Sequence, residues 1–298
     1  MLGALLPPDV RPADPQVPVG SVSLAGAVDG IDLSGVGFYV PPYMGPRATF
    51  ELMAHLPRLQ VVQLLTAGFE SALPFLPPGV LLCNARGVHD ASTSELAVAL
   101  TLASLRGIDD FARAMPQGAW LSSRRPALAD KRVVVIGAGG VGQGIRQRLE
   151  PFETEVVLVG RAARDGVEGV DGLPALLPTA DIVILAVPHT PETTRMVDAR
   201  FLGMLPDGCL LVNVARGGVV DTEALLGETA SGRLRAALDV TEPEPLPPDH
   251  PLWRLPNVLI SPHVGGNTSA FLPRARRLVL EQLARWRGDE PVLHVVSG

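Results

Sequence analysis

The second half of this chain alternates two hydrophobic patterns. From residue 130 onward, short runs of apolar, mostly β-branched residues are separated by stretches whose apolar positions recur at helical spacing. Such runs are typical of parallel strands that are covered on both faces. The predicted strands span residues 132–136, 155–159, 181–187, 209–214, 235–240 and 257–260. Strands and helices in alternation predict a doubly wound α/β sheet.

The first part of the chain is rich in proline and carries fewer clear elements. Apolar runs at 58–65 and 79–83 predict two buried strands, each followed by glycine or polar turn residues. Helical spacing of apolar residues predicts a long helix that begins near Ser92 or Thr93 and extends toward residue 111, and an amphipathic helix over 268–287. We assign no strand or helix within residues 1–40, so the size of the first sheet and part of the pocket stay open.

Composition and charge exclude several classes of protein. The 298 residues are 47% hydrophobic and 19% charged, which suits about two globular domains. With 25 Lys+Arg against 31 Asp+Glu, the chain lacks the basic excess of a nucleic-acid-binding protein. No apolar run is long enough to cross a bilayer, and no secretory signal precedes the first strand, so we expect a cytoplasmic protein without membrane partners. Cys83 and Cys209 form no CxxC motif or Cys/His cluster, so we expect no metal site.

A glycine-rich loop follows the strand at 132–136 and precedes a helical segment. Its residues are Gly137, Gly139, Gly140, Val141 and Gly142. Gly137 permits a tight turn, Gly139 lets the backbone approach a pyrophosphate, and Gly142 lets helix and strand pack closely. Free N–H groups at the start of the helix suit the pyrophosphate. Because the strand, turn, helix and second strand follow in the required order, the loop predicts a dinucleotide site.

The end of the second strand bears on which dinucleotide binds. Sites for NAD usually place an acidic residue there to hold the ribose hydroxyls. This chain has Gly160 at that point, followed by Arg161 and Arg164. Since arginine pairs with phosphate through charge-assisted hydrogen bonds, we predict that NADP(H) is preferred and that NAD(H) is possible. The alternative is that both arginines lie in a solvated loop.

Three further motifs lie downstream: LVNVARGGVVD at 211–221, ALDVTEPEPL at 237–246 and SPHVGG at 261–266. Together they resemble the D-isomer-specific 2-hydroxyacid dehydrogenases. The similarity also takes in the glycine loop and VPHTPET at 187–193, and covers essentially all of residues 88–287. Several motifs in order and at matching spacing are far more specific than a glycine loop alone.

In that family an arginine, a glutamate and a histidine carry the reaction, and by position they correspond to Arg216, Glu244 and His263. Arginine can bind the carboxylate and carbonyl oxygens of a 2-oxo acid, and histidine can donate the proton as the carbonyl is reduced. A carboxylate beside the histidine favours the imidazolium and fixes its orientation. Glu242 competes with Glu244 for that role. Arg216 as a structural carbonyl binder and His263 as an ordinary loop histidine remain alternatives.

The resemblance also implies ligand contacts outside this triad. For the cofactor they are Gly140, Val141, Pro188, Thr193, Ala215, Asp239 and Gly265, with Asp239 on the nicotinamide side. For the substrate, the family places a strand-end loop where Thr66, Ala67 and Gly68 stand. The N–H groups of Ala67 and Gly68 would hold the substrate carboxylate, with Thr66 nearby, although a plain turn is the alternative. Arg216 and His263 complete the predicted substrate contacts.

The fold that the resemblance implies has two Rossmann-like domains, one flavodoxin-like and one dinucleotide-binding, with parallel sheets and a cleft between them. The substrate-binding domain would comprise residues 1–90 and 268–298, and the NAD(P)-binding domain residues 91–267. Family members usually form homodimers, and the apolar helical surface over 92–111 suits either a dimer or an interdomain contact.

The resulting functional hypothesis is an oxidoreductase that transfers a hydride from NADPH or NADH to a small 2-oxo acid and gives the D-2-hydroxy acid. The chain looks most like the glyoxylate/hydroxypyruvate reductase branch. Formate dehydrogenases are disfavoured, because they place glutamine where this chain has Glu244. The alternative from another class is a nucleotide-sensing scaffold, like the corepressors built on the same fold.

Overall fold

The chain divides into two compact units. The first unit comprises Met1–His89 with Ser269–Gly298, and the second comprises Asp90–Thr268. The computed structural model describes residues 2–12 and 17–297. Each unit contains a seven-stranded, mostly parallel sheet flanked by helices, which confirms the predicted class of two Rossmann-like α/β folds. Among the described residues, no helix has the length and apolar character that crossing a membrane requires.

The first unit has the flavodoxin-like strand order. Its strands are β1 (Gly3–Leu6), β2 (Val19–Val22), β3 (Val28–Asp29), β4 (Val36–Tyr39), β5 (Val61–Gln63), β6 (Leu81–Cys83) and, near the end of the chain, β14 (Val295–Ser297). The order across the sheet is β14-β6-β5-β4-β1-β2-β3. The five parallel strands β2-β1-β4-β5-β6 therefore follow the flavodoxin pattern 2-1-3-4-5. The outer strands β3 and β14 pair antiparallel with their neighbours.

Apolar residues fill both faces of this sheet. Along β1, Ala4 and Leu6 point into one core cluster and Leu5 into the other, as the two-residue period of a strand requires. The helices of this unit are α1 (Ala48–Glu51) and α8 (Phe271–Arg287). The buried face of α8, which includes Phe271 and Leu283, covers the Ala4 side of the sheet.

The second unit has the dinucleotide-binding strand order. Its strands are β7 (Arg132–Ile136), β8 (Glu155–Gly160), β9 (Glu168–Gly169), β10 (Ile182–Leu185), β11 (Leu210–Asn213), β12 (Arg235–Leu238) and β13 (Val258–Ile260). They are all parallel and lie in the order β13-β12-β11-β10-β7-β8-β9. From β7 the chain adds β8 and β9 on one side, and then crosses back to add β10 to β13 on the other side, so the strand order reverses between β7 and β10. In such sheets ligands bind at the carboxyl ends of the strands near that reversal.

Helices cover both faces of the second sheet. They are α2 (Asp90–Arg106), α3 (Ile108–Ala114), α4 (Gly140–Leu149), α5 (Leu173–Leu176), α6 (Ala199–Gly203) and α7 (Thr222–Ala230). Within β7, Val133 and Val135 pack into one core cluster, while Val134 and Ile136 pack into the other. This double burial explains the uninterrupted apolar runs in the sequence.

An ion pair fastens the amino ends of β7 and β10. The chain's only lysine, Lys131, donates from Nζ to Asp181 Oδ1 at 2.7 Å, and the Arg132 N–H donates to Asp181 Oδ2 at 2.9 Å. Partial burial acts to raise the pKa of the Asp181 carboxyl, but the bonds from Lys131 and Arg132 outweigh it and hold that pKa below its ordinary value.

The predicted elements exist, with differences at their ends. Most predicted strands lose a few terminal residues, and residues 1–40 contain four strands where none was predicted. The helix predicted toward residue 111 is two helices, because Gly107 adopts a left-handed φ of 64° and ends α2. The last helix begins at Phe271 rather than 268, since Asn267 and Thr268 donate their N–H groups within a preceding turn.

Candidate active site and cofactor site

At two positions of the glycine loop, backbone atoms leave no room for a side chain. Gly137 has a φ of 120°, and a Cβ there would lie 2.2 Å from the carbonyl oxygen of Ala186. A Cβ on Gly142 would lie 1.7 Å from the Gly137 carbonyl oxygen. At Gly139 a Cβ would meet nothing within 4 Å, so the backbone is open to a ligand there. Val141 lies in the first turn of α4, which Gly140 begins. This combination fits a pyrophosphate at the helix N-terminus.

Asp90 lies against this loop. A Cβ added to Gly140 would lie 1.7 Å from the Oδ2 atom of Asp90, the first residue of α2. The absence of a side chain at Gly140 therefore leaves space for the carboxylate of α2 rather than only for a ligand. Sequence reasoning missed this contact, because it depends on how α2 and α4 pack.

The two arginines after β8 have different surroundings. Arg164 donates from Nη2 to the Ala138 carbonyl in the glycine loop at 3.1 Å, and its backbone N–H and carbonyl both pair with Val167 at 2.9 Å. Arg161 is exposed. A hydrogen bond from the Thr190 hydroxyl lowers the pKa of Glu192, and the charge of Arg161 contributes to the same shift. The structure therefore directs Arg164 to the glycine loop and puts Arg161 near a carboxylate.

The loop after β10 is closed by threonine side chains. The Thr193 hydroxyl donates to the Pro188 carbonyl at 2.7 Å and accepts from the Thr190 N–H at 2.8 Å. His189 Nε2 lies 3.0 Å from the Thr194 hydroxyl. The predicted cofactor residues Pro188 and Thr193 thus belong to one hydrogen-bonded turn.

Asn213, at the end of β11, shapes the loop that carries Arg216. Its Oδ1 accepts the Ala215 N–H and its Nδ2 donates to the Arg216 carbonyl, both at 3.0 Å. The half-buried Arg216 donates from Nη1 to the Ala215 carbonyl at 2.7 Å. Because a guanidinium carries five N–H donors, this bond leaves capacity to bind a carboxylate.

Asp239 organises the turn that follows β13. This carboxylate is 2% exposed and accepts three hydrogen bonds, from the Ser261 hydroxyl at 2.6 Å and from the Val264 and Gly265 N–H groups at 2.9 Å. Its carbonyl also accepts the His263 N–H at 2.8 Å. Both oxygens of the predicted nicotinamide-side residue are therefore engaged in holding the segment on which the histidine stands.

The turn presents His263 to Glu244. His263 Nδ1 lies 2.5 Å from Glu244 Oε1, and the two side chains are 33% and 40% exposed. His263 itself has a left-handed φ of 52°. Of the two competing glutamates, it is Glu244 that the structure brings to the imidazole, while the Glu242 carbonyl accepts the Thr222 hydroxyl at 2.7 Å. The peptide bonds before Pro243 and Pro245 are cis.

The predicted substrate loop lies in the first unit, directly after β5. Ala67 is exposed and Thr66 and Gly68 are half-buried. The Thr66 hydroxyl donates to the Gly68 carbonyl at 2.7 Å, and Asn84 Nδ2 donates to the Ala67 carbonyl at 2.8 Å. These bonds give the loop a defined shape within its own unit.

Comparison with known proteins identifies the family. The model for the NAD-binding domain of the D-isomer specific 2-hydroxyacid dehydrogenases matches residues 98–265, more than half of the chain. The chain belongs to this family. The match confirms the resemblance drawn from the motifs, and it covers the glycine loop, Arg216, Asp239 and His263.

Curated members of the family share about a third of their residues with this chain. The glyoxylate reductase of Thermofilum pendens is 32% identical over 257 residues, which are 81% of this chain and 76% of that protein. The D-3-phosphoglycerate dehydrogenase of Archaeoglobus fulgidus is 34% identical over 228 residues, which are 74% of this chain. That match spans only 43% of the phosphoglycerate dehydrogenase.

Solved 2-hydroxyacid dehydrogenases have the same fold over nearly the whole chain. The enzyme of Xanthobacter autotrophicus Py2, in complex with NADPH and MES, is 30% identical, with a TM-score of 0.83 and coverage of 99% of this chain and 98% of that one. The NADPH-dependent glyoxylate/hydroxypyruvate reductase of Sinorhizobium meliloti, in complex with NADP and sulfate, is 27% identical. Its TM-score is 0.83, with coverage of 100% and 98%.

Proposed function

We propose that the protein is an NAD(P)H-dependent 2-oxo acid reductase that prefers NADPH and produces D-2-hydroxy acids. The observation that carries this proposal is the 2.5 Å contact between His263 and Glu244, on a turn that the buried Asp239 holds from inside. A histidine held between a carboxylate and a fixed turn is suited to move a proton at one chosen place.

Each side chain has a distinct part in the proposed reaction. Arg216 binds the carboxylate and carbonyl oxygens of the substrate and stabilises negative charge as it develops on the carbonyl oxygen. His263 donates its proton to that oxygen in reduction and accepts it in oxidation. Glu244 fixes the orientation of the ring by its bond to Nδ1, which leaves Nε2 for the substrate. The cofactor, when bound, supplies the hydride.

The glycine loop and the loops after β8 and β10 would hold the cofactor. The preference for NADPH rests on Arg164, whose guanidinium is already directed to the glycine loop through Ala138. The strand β8 ends in Gly160, so no carboxylate at that point repels a 2′-phosphate. Arg161 adds a second positive charge that Glu192 partly offsets.

Glyoxylate and hydroxypyruvate are the proposed substrates. Support comes from the curated relative in Thermofilum pendens and the solved reductase of Sinorhizobium meliloti, whose names carry these substrates. The turnover of both compounds by this chain, against a panel of bulkier 2-oxo acids, tests the choice. High activity on a bulkier acid with little on glyoxylate contradicts the substrate assignment.

The decisive experiment measures kcat/KM for 2-oxo acids with NADPH and with NADH. We expect a ratio well above one in favour of NADPH, and loss of turnover in His263→Ala while NADPH binding persists. Arg164→Ser should raise the KM for NADPH about tenfold and leave that for NADH nearly unchanged. Arg254→Ser, at an exposed arginine elsewhere in the unit, is the matched control. No turnover, with NADP(H)-gated binding of a peptide partner, favours a corepressor-like scaffold instead.

We also propose that the enzyme is a homodimer of the cytoplasm. Four large apolar side chains stand exposed within a short segment that includes α3: Ile108 at 53%, Met115 at 77%, Trp120 at 93% and Leu121 at 46%. Apolar exposure of this extent suits contact with another protein surface. Light scattering tests the assembly, since a monomeric mass at micromolar concentration contradicts it.

A further inference from the structure

The first five residues of the loop after β5 have their carbonyl groups engaged in hydrogen bonds. Five consecutive carbonyl oxygens, from Leu64 to Gly68, each accept a hydrogen bond. The donors, in order along the loop, are Gln63 Nε2 (2.7 Å), His89 Nε2 (2.8 Å), the Ala85 N–H (2.8 Å), Asn84 Nδ2 (2.8 Å) and the Thr66 hydroxyl (2.7 Å). The carbonyl groups from Leu64 to Gly68 therefore each have a fixed direction.

Fixing a carbonyl also fixes the N–H of the next residue. In a trans peptide the C=O and N–H groups lie in one plane and point in opposite directions. The bond to the Thr66 carbonyl therefore sets the direction of the Ala67 N–H, and the bond to the Ala67 carbonyl sets that of Gly68. Neither N–H donates a hydrogen bond to a described residue. Two adjacent donors are left for an acceptor from outside the chain.

The direction of the Gly68 N–H is set by a side chain, that of Asn84, whose amide nitrogen and amide oxygen are both hydrogen-bonded. Asn84 Nδ2 donates to the Ala67 carbonyl, while Asn84 Oδ1 accepts the Arg86 N–H at 3.2 Å. The amide group can satisfy both contacts in only one of its two orientations. The Asn84 backbone is anchored as well, since its carbonyl accepts Gln63 Nε2 at 3.1 Å.

A buried polar network stands behind this arrangement. Gln63 and Gln282 are both 0% exposed, and Gln282 Nε2 donates to Gln63 Oε1 at 2.6 Å. Gln282 also exchanges two 2.8 Å bonds with the backbone of Leu293. Because buried amides are costly unless they are fully bonded, a network of this kind has essentially one arrangement. It gives the loop and Asn84 a rigid foundation.

We infer that Asn84 is a positioning residue for substrate: it orients the Gly68 N–H, beside that of Ala67, toward the substrate carboxylate. The inference rests on the proposed function, because it assigns the carboxylate of the 2-oxo acid to this loop. Hydrogen bonds from N–H groups to a carboxylate are charge-assisted and therefore strong. If the peptide group between Ala67 and Gly68 were reversed, the Ala67 carbonyl oxygen would face the carboxylate and repel it. Asn84 acts through the loop and does not itself touch the substrate.

Asn84→Asp is the sharpest perturbation, since it keeps the shape of the side chain and replaces the donor facing the Ala67 carbonyl with an oxygen. We expect the KM for glyoxylate to rise at least about tenfold, while the KM for NADPH stays within about twofold. The KM for glyoxylamide, which has no carboxylate, should change far less than that for glyoxylate. A general loss of structure would raise the KM for glyoxylamide as well as that for glyoxylate.

Two further variants keep the test independent of folding. Asn84→Ser removes the amide without adding charge and should show the same selective rise. Trp286→Phe is the matched control, because it deletes a different hydrogen bond of this unit, from the indole N–H to Gln60 Oε1 at 2.8 Å, and leaves a smaller aromatic side chain in place. It should leave the KM for glyoxylate unchanged even if it lowers the melting temperature by as much as the Asn84 variants do.

Binding of oxamate to the NADPH-loaded protein, measured by calorimetry, separates the two hypotheses. If the wild-type protein turns over no 2-oxo acid, the proposed function fails, and a weaker oxamate Kd in Asn84→Asp still supports the role of Asn84. If the wild-type protein is active and both Asn84 variants keep its KM for glyoxylate and its oxamate Kd, the positioning role is wrong.

Discussion

Replacing Asp239 with asparagine changes one oxygen of a buried carboxylate to an amide nitrogen and keeps the shape of the side chain. In the native turn, one oxygen accepts from Ser261 and Val264 and the other accepts from Gly265. The amide oxygen can continue to accept the first two hydrogen bonds. The new NH₂ group then faces the N–H of Gly265, so two donors oppose each other.

The free-energy cost follows from these contacts. A hydrogen bond to a charged group contributes about 1.5–3 kcal/mol, and a buried donor left without an acceptor costs a similar amount. With Asp239 at 2% exposure, little water is available to compensate. We therefore expect the native turn to become less stable, by about 2–3 kcal/mol, relative to forms in which His263 is displaced. This change raises the ratio of displaced to native forms by about 30- to 150-fold. A displacement of about 1 Å at a reacting group can lower the rate about 100-fold.

The assay measures kcat for glyoxylate, the Kd for NADPH and the melting temperature on the same preparations. We expect kcat to fall about 100-fold in Asp239→Asn, with a much smaller change in NADPH binding. Ser261→Ala is the graded control, because it removes only the hydroxyl donor, and we expect a loss of a few-fold. If Asp239→Asn keeps kcat within threefold of the wild-type value, the carboxylate does not hold the histidine in its working position.

Three further changes test other parts of the structure. Gly137→Ala should cost several kcal/mol of folding stability and abolish NADPH binding, because it combines a φ of 120° with a Cβ 2.2 Å from the Ala186 carbonyl oxygen; thermal unfolding and NADPH fluorescence measure both effects. Asp181→Asn should lower the free energy of unfolding by about 0.5–1 kcal/mol at pH 7, measured in urea. Because the folded-state pKa of Asp181 is lowered, this stabilisation is present above the unfolded-state pKa of about 4 and is lost as the pH falls through the folded value. Burial raises the pKa of Cys209 to about 12, so its thiol should react with a disulfide reagent at pH 8 only after denaturation.

Specific results contradict these three expectations. Gly137→Ala with an unchanged melting temperature shows that the loop can adopt another course. A constant difference between Asp181→Asn and wild type from pH 7 to pH 3 shows that charge plays no part in the bond to Lys131. Rapid labelling of Cys209 in the native protein shows that the segment directly before β11 opens readily.

The sequence predicted those elements whose signals are local. The strand β7 was predicted at its observed bounds, because five residues that suit a doubly covered strand lie between a polar turn and Gly137. The strand β1 was missed, since four apolar residues before a proline carry no periodicity, and its burial comes from β4 and α8, which lie far along the chain. The break at Gly107 had a local signal in the glycine itself, which the helical spacing around it obscured.

The candidate site likewise combines residues that local motifs predict with contacts that only the folded structure reveals. Arg216, Glu244 and His263 could be predicted as site residues because their motifs are contiguous and resemble a known family. The contacts that hold them depend on register between strands, which no short motif encodes. Asp239 can reach the turn of His263 only because β12 and β13 are neighbours in the sheet. Asn84 was likewise missed, since its partner Ala67 lies on another loop of the first unit.

The insertion of the second unit into the first has a consequence for synthesis on the ribosome. Residues 90–268 are continuous, so the second unit can complete its core as soon as its own chain has emerged. The first unit cannot, because α8 and β14 follow the whole second unit in the chain and α8 supplies buried residues to the Ala4 side of the first sheet. Until α8 has been synthesised, that apolar face lacks the buried residues that α8 supplies. We expect the first unit to complete its core only after the second unit has been synthesised.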